Sequence, residues 1–175
     1  MAALRKLRHY PTDPQREALY QVERSFTPKP MFNGELTRAQ AMRLIKRVRR
    51  QYKLVPVKLC YIPREQETVD HGRYDVIYDG ETEEVSSVIL NINRQHKALN
   101  TSVLLHEMAH VICDQYYGMK MADHCPEFVG ITIWLYNEYR VIAEDSYRLA
   151  LRRYEVKHKS MAESSPQAVR AARRC

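Results

Sequence analysis

The chain has four cysteines, Cys60, Cys113, Cys125 and Cys175, and no two of them stand at CxxC spacing. That absence excludes a zinc ribbon, and a disulfide framework is not expected in a chain of this size without a secretory leader. The cysteines are expected as buried or free thiols. Long apolar runs are missing too: the longest, Val129 to Tyr136, falls far short of the roughly 20 residues needed to cross a bilayer. The basic N-terminus MAALRKLRHYP is followed by no apolar segment, so no secretory signal is expected. The expected location is the cytoplasm, or whatever compartment the protein is assembled in. No internal repeat and no interdomain linker breaks the 175 residues, and with 28% charged residues the composition is that of one soluble globular domain. That domain is expected over residues 1–160, with residues 161–175 a loose basic tail.

Charge is present in excess but unevenly. The net charge is +7; Arg38 to Lys53 holds seven basic residues, and Arg148 to Cys175 holds eight against two acids. Pro63 to Glu84 holds eight acids against two arginines. The asymmetry fits a basic face that meets nucleic acid or an acidic partner, and it equally fits ordinary solvated helix faces.

Local patterns give an α+β domain. DPQREALYQVERSF (Asp13 to Phe26) reads as a short helix entered through Pro14, and TPKPMFNGE as loop. From the N-cap candidate Thr37, the residues Ala41, Leu44, Ile45, Val48 and Tyr52 form one apolar stripe beneath an arginine-rich outer face. Three strand candidates follow, Pro56 to Ile62, Arg73 to Asp79 and Val85 to Ile92, with turn signals in DHG and DGETEE. Their close spacing predicts a small, mostly antiparallel sheet. Asn100 or Thr101 can cap the next helix and Gly118 can end it; Pro126 opens a long final helix running toward His158.

The helix after Asn100 carries LLHEMAH. On a helical wheel Leu104, Leu105, Met108, Val111 and Ile112 fall on one side, and His106, Glu107, His110 and Asp114 on the other. His106 and His110 lie one turn apart, about 6 Å along the axis, close enough to grip one ion. Glu107, offset from both, stands beside that ion. Two imidazoles can hold Zn²⁺ and leave positions for a third ligand and a water, whose proton a free carboxylate can take. A third ligand must come from elsewhere in the chain. The chain travels about 12 Å past His110 to Gly118, and the stretch to His124 spans about 20 Å when extended, enough to return.

HEMAH followed by HCPEF resembles the SprT-like zincins, the group that includes the Spartan DNA–protein crosslink proteases. The likeness also takes in VILNINRQ (Val88 to Gln95) and spans roughly Thr37 to Tyr139. The opening DPQREALYQVERSF is similar to small predicted metallohydrolases of actinobacteria and their phages. The resemblance implies a compact zincin-like metallopeptidase domain acting on protein or peptide substrates, with Zn²⁺ on His106, His110 and His124 and Glu107 as general base. It further implies that Val88 to Asn91 is an edge strand that binds an extended peptide by strand addition. Cys125 departs from the family's glycine and either tolerates the backbone there or sets a thiolate near the metal. Glu138 and Glu144, in NEYRVIAED, resemble the helical glutamate ligand of other zincins and rival His124. Asp114 either orients a ligand imidazole or faces solvent. Tyr116, Tyr117, Tyr136 and Tyr139 are the tyrosines near enough in sequence to stabilise an oxyanion. Three alternatives stand beside this reading: a nucleic-acid-associated protein with a structural zinc, a zinc hydrolase of non-peptide bonds, and a phage-encoded or virion-associated component.

Overall fold

A computed structural model describes residues 13–25, 34–62, 72–79, 84–93, 99–118, 121–142 and 144–172. The DHG and DGETEE turns, most of TPKPMFNGE, Phe26, the N-terminal MAALRKLRHYP, and Arg94 and Gln95 lie outside or largely outside them. In chain order the elements are α1 (Arg16–Ser25), α2 (Arg38–Tyr52), β1 (Val57–Tyr61), β2 (Gly72–Tyr78), β3 (Val85–Ile92), α3 (Thr101–Tyr117), α4 (Pro126–Glu138), α5 (Glu144–Arg153) and α6 (Pro166–Ala172). The fold is α+β.

Helix starts follow their capping chemistry. Thr37 opens α2 with a reciprocal pair: its hydroxyl accepts from Gln40 N at 3.2 Å, and its own N–H donates to Gln40 Oε1 at 2.7 Å. Ala41, Ile45, Val48 and Tyr52 are buried along the expected stripe. Asn100 Oδ1 accepts from Val103 N at 2.9 Å and starts α3, which Gly118 closes. Leu104, Leu105, Met108, Val111 and Ile112 are all buried on that helix, which packs on β2, β3, α2, α4 and α6.

The sheet differs from expectation in topology. Its order is β1-β3-β2, with β1 parallel and β2 antiparallel to β3. It is mixed, and β3 is its central strand. Val88, Leu90 and Ile92 point into the core, as alternation requires. Both lateral edges of β3 are paired, so Val88 to Asn91 is not the edge strand that the resemblance implied. A strand saturated on both sides has no backbone groups left for an added peptide.

The long final helix is also two helices. Arg140 adopts φ 57°, its N–H donates to Asn137 O at 3.0 Å, and Val141 N donates to Tyr136 O at 2.8 Å. This is the left-handed closing turn usually made by glycine. Here the buried Val141 holds it in place. The same device ends α5 at Glu155 (φ 55°), with Val156 N on Leu151 O at 2.9 Å, and α2 at Lys53 (φ 52°), with Leu54 N on Arg49 O at 3.0 Å. In each case a polar residue takes the strained conformation and a buried aliphatic residue follows it.

Residues expected as a loose tail are built into the fold as far as Ala172. Val169 of α6 is fully buried, Tyr52 Oη donates to Ser164 O at 3.0 Å, and Arg170 reaches Gln51 O at 3.0 Å. Gly130 of α4 makes room for this segment, since a Cβ there would lie 2.4 Å from Ser164 Oγ. Deleting residues 161–175 is therefore expected to lower unfolding free energy by at least the burial of Val169, about 1.5–3 kcal/mol. Urea denaturation of the truncated chain tests this, and an unchanged midpoint would return the segment to the status of a tail.

Candidate metal centre

Two histidines of α3 and a third from the turn ahead of α4 meet at one point. His106 and His110 project from successive turns of α3, with ring centroids 5.0 Å apart. After Gly118 the chain turns back, and His124 enters just before α4, its ring 5.6 Å from His106 and 5.1 Å from His110. One ring nitrogen from each lies within 4.8 Å of the others. That grouping can hold a metal ion.

Phe128, on the first turn of α4, touches all three rings. It stacks on His110 at 4.2 Å and meets His106 and His124 edge-on at 5.1 and 5.0 Å. Tyr74 of β2 stacks on His110 at 5.2 Å, and Tyr20 of α1 meets His124 edge-on at 5.5 Å. The imidazoles thus sit in an apolar, aromatic frame.

Each Nδ1 faces a carboxylate. His106 Nδ1 lies 2.9 Å from Glu23 Oε1, His124 Nδ1 lies 2.5 Å from Asp13 Oδ2, and His110 Nδ1 lies 4.0 Å from Asp123 Oδ1. With Nδ1 of His106 and His124 engaged, Nε2 is the nitrogen each has left for an ion. The Nε2 of His124 is buried and has no hydrogen-bond partner among the described residues. Such an orphaned group costs about 1–3 kcal/mol unless something satisfies it. A divalent cation does so, and neutral imidazole nitrogens suit zinc, copper, nickel or iron.

Burial alone would depress the His106 imidazolium, but the charge and hydrogen bond of Glu23, helped by Glu107 and Asp123, push its pKa up to about 9. His124 moves down: burial and the positive His106 outweigh the pull of Asp13. A cation at this site would compete with a proton for His106 more than for His124.

Glu107 is buried beside this group. Its carboxylate lies against the first residue of β2: a Cβ on Gly72 would stand 2.9 Å from Glu107 Oε1 and 3.1 Å from an Ile92 methyl. A side chain at position 72 would push the Glu107 carboxylate and the Ile92 methyl aside.

Other expected residues separate from the site. Glu138 is exposed, 3.6 Å from Arg47, and accepts from Gln51 at 3.2 Å. Glu144 begins α5, but its side chain lies outside the described residues. Cys125 is the N-cap of α4, its Sγ accepting from Phe128 N at 3.5 Å. The Cys113 thiol donates to it, and this holds its pKa below the ordinary thiol value despite burial. Its φ of −63° needs no glycine, and its sulfur is not among the grouped ligand atoms. Cys125 is thus a helix cap. Asp114 is buried, not solvent-facing. Tyr116, Tyr136 and Tyr139 donate to Tyr52 O, Ser102 O and Gln51 Oε1. The tyrosines at the site are Tyr74 and Tyr20, which no nearby motif marks. Asp13, Glu23 and Asp123 were also missed, and only Asp123, adjoining His124, had proximity as a signal.

Comparison of the chain with protein-family models, with curated proteins and with solved structures finds no match.

His124→Ala is expected to lose most bound metal in elemental analysis of the purified protein. Unchanged stoichiometry would move the third ligand to another side chain.

Proposed function

We propose that the chain is a zinc-dependent metallopeptidase of the SprT-like kind, hydrolysing peptide bonds in protein substrates. The observation that carries this reading is the convergence of three imidazoles, one with a buried unpartnered Nε2, beside the carboxylate of Glu107. Zinc bound there would supply Lewis acidity and a water acidic enough to lose its proton near neutral pH. His106, His110 and His124 would hold the ion. Glu107, offset from the ligands and lying against Gly72, would take the proton and pass it to the leaving amine.

An extended substrate would lie along β2. Among the described residues β2 pairs only with β3, which leaves its outer side as a sheet edge, and it carries both Gly72 and Tyr74. Main-chain pairing on such an edge suits recognition with little sequence preference. Glu107→Gln should keep its zinc and lose at least about 100-fold in kcat on a casein substrate. Undiminished cleavage by the zinc-loaded variant would sink the mechanism.

A second reading concerns the partner. The outer face of α2 carries Arg43, Lys46, Arg47 and Arg50, which with Gln51 line an open recess of about 420 Å³. The helix contains no acid. Arg47 is taken up by Glu138 and the Tyr139 ring, whereas Arg43, Lys46 and Arg50 have no acidic partner among the described residues. Like charges three and four residues apart repel, and a polyanion relieves that repulsion. Duplex DNA is the proposed partner. If these three cations each neutralise a phosphate, log K against log salt falls with a slope of about −3. Fluorescence anisotropy across a salt series measures it, and no binding at low salt would remove this reading.

A further inference from the structure

The N-terminal segment sits far from the HEMAH helix in sequence, 83 residues from Glu23 to His106 and 111 from Asp13 to His124. In space it closes over the ligands. Asp13 and Glu23 face the Nδ1 atoms of His124 and His106, and Tyr20 lays its ring edge against His124. Gln15 ties the backbone: its Nε2 donates to His124 O at 2.8 Å, and its Oε1 accepts from Lys157 N at 2.6 Å. Four side chains of one short segment thus address one ligand pair.

The anchorage of that segment is otherwise slender. Among the described residues Leu19 and Val22 are its only buried apolar side chains, and ten residues are too few for a helix to persist by itself. Asp13 shows where the missing stabilisation lies. One carboxylate oxygen meets His124, while the other, Oδ1, is buried with no hydrogen-bond partner among the described residues. A half-paired buried carboxylate is unfavourable unless positive charge stands close by. A cation held by the imidazoles would supply such charge through the polarised His124 ring.

We infer that Asp13 and Glu23 are positioning residues of the metal centre, and that docking of α1 and binding of the metal are one coupled equilibrium. The carboxylates fix both rings with Nε2 inward, and the ion, by polarising the imidazoles, strengthens the Nδ1–H bonds that hold α1. Coupling of this kind is reciprocal: whatever factor docked α1 adds to metal affinity, the metal adds to α1 docking. The inference rests on the three-histidine cation site and is independent of which bond the protein cleaves.

The test uses the full-length chain and zinc alone. Affinity is measured by competition with a chromophoric chelator for wild type, Asp13→Asn, Glu23→Gln and Leu19→Ala, the last weakening α1 docking without touching a ligand. Hydrogen exchange of the Arg16–Ser25 amides is followed with and without zinc. The amide variants should bind zinc about 10–100-fold more weakly, and the visible spectrum of bound Co²⁺ should shift. Leu19→Ala should weaken zinc binding too, and zinc should slow exchange across α1 in wild type. A wild type that binds zinc while all three variants keep affinities within twofold, and α1 exchange is indifferent to zinc, overturns the inference. A wild type that takes up no zinc overturns the metal centre itself, and this inference with it.

Discussion

Three imidazole nitrogens held within 4.8 Å of one another inside a protein repel unless protons or a cation stand between them. Most of the surroundings of the site follow from that constraint. The carboxylates on the outer sides supply compensating charge, Phe128 and Tyr74 keep water from the ring faces, and the buried Nε2 of His124 is left for the ion. Each feature is unfavourable or neutral alone, and together they make a grouping that could hold a metal ion. Within HEMAH the two histidines join the grouping that could hold an ion, and the glutamate lies against Gly72 outside that grouping.

What could be read from the sequence was local. Thr37 and Asn100 cap where their side chains predict, the apolar stripe of α2 and the two-sided character of α3 follow from helical period, and all three strand candidates form strands. The return of His124 was legible too, since the length of chain after Gly118 permits it and Pro126 anchors the next helix. These are questions of a few residues, settled by hydrogen-bond chemistry and chain reach.

What was not legible is long-range or unsignalled. Nothing in Asp13 or Glu23 says which histidine each will meet across such separations. Strand order depends on which neighbours β3 recruits, so a hydrophobic strand presumed to lie at the edge lies in the middle, and the available edge passes to β2. The recruitment of α6 depends on a cleft made by α2 and α3, and short basic sequence carries no sign of it. The basic character of the C-terminal region is real, yet Arg170 spends its charge on Gln51 O.

The three helix stops at Lys53, Arg140 and Glu155 carry a consequence of their own. Side-chain-bearing residues in the left-handed region are held at about 1–2 kcal/mol above their relaxed state. Here the buried Leu54, Val141 and Val156 enforce them. The fold therefore holds strain at three helix ends, set by tertiary packing and not by local preference. Glycine at those turns would relieve the strain while leaving every residue of the histidine grouping unchanged, so the stability margin of this fold can be widened at its helix ends.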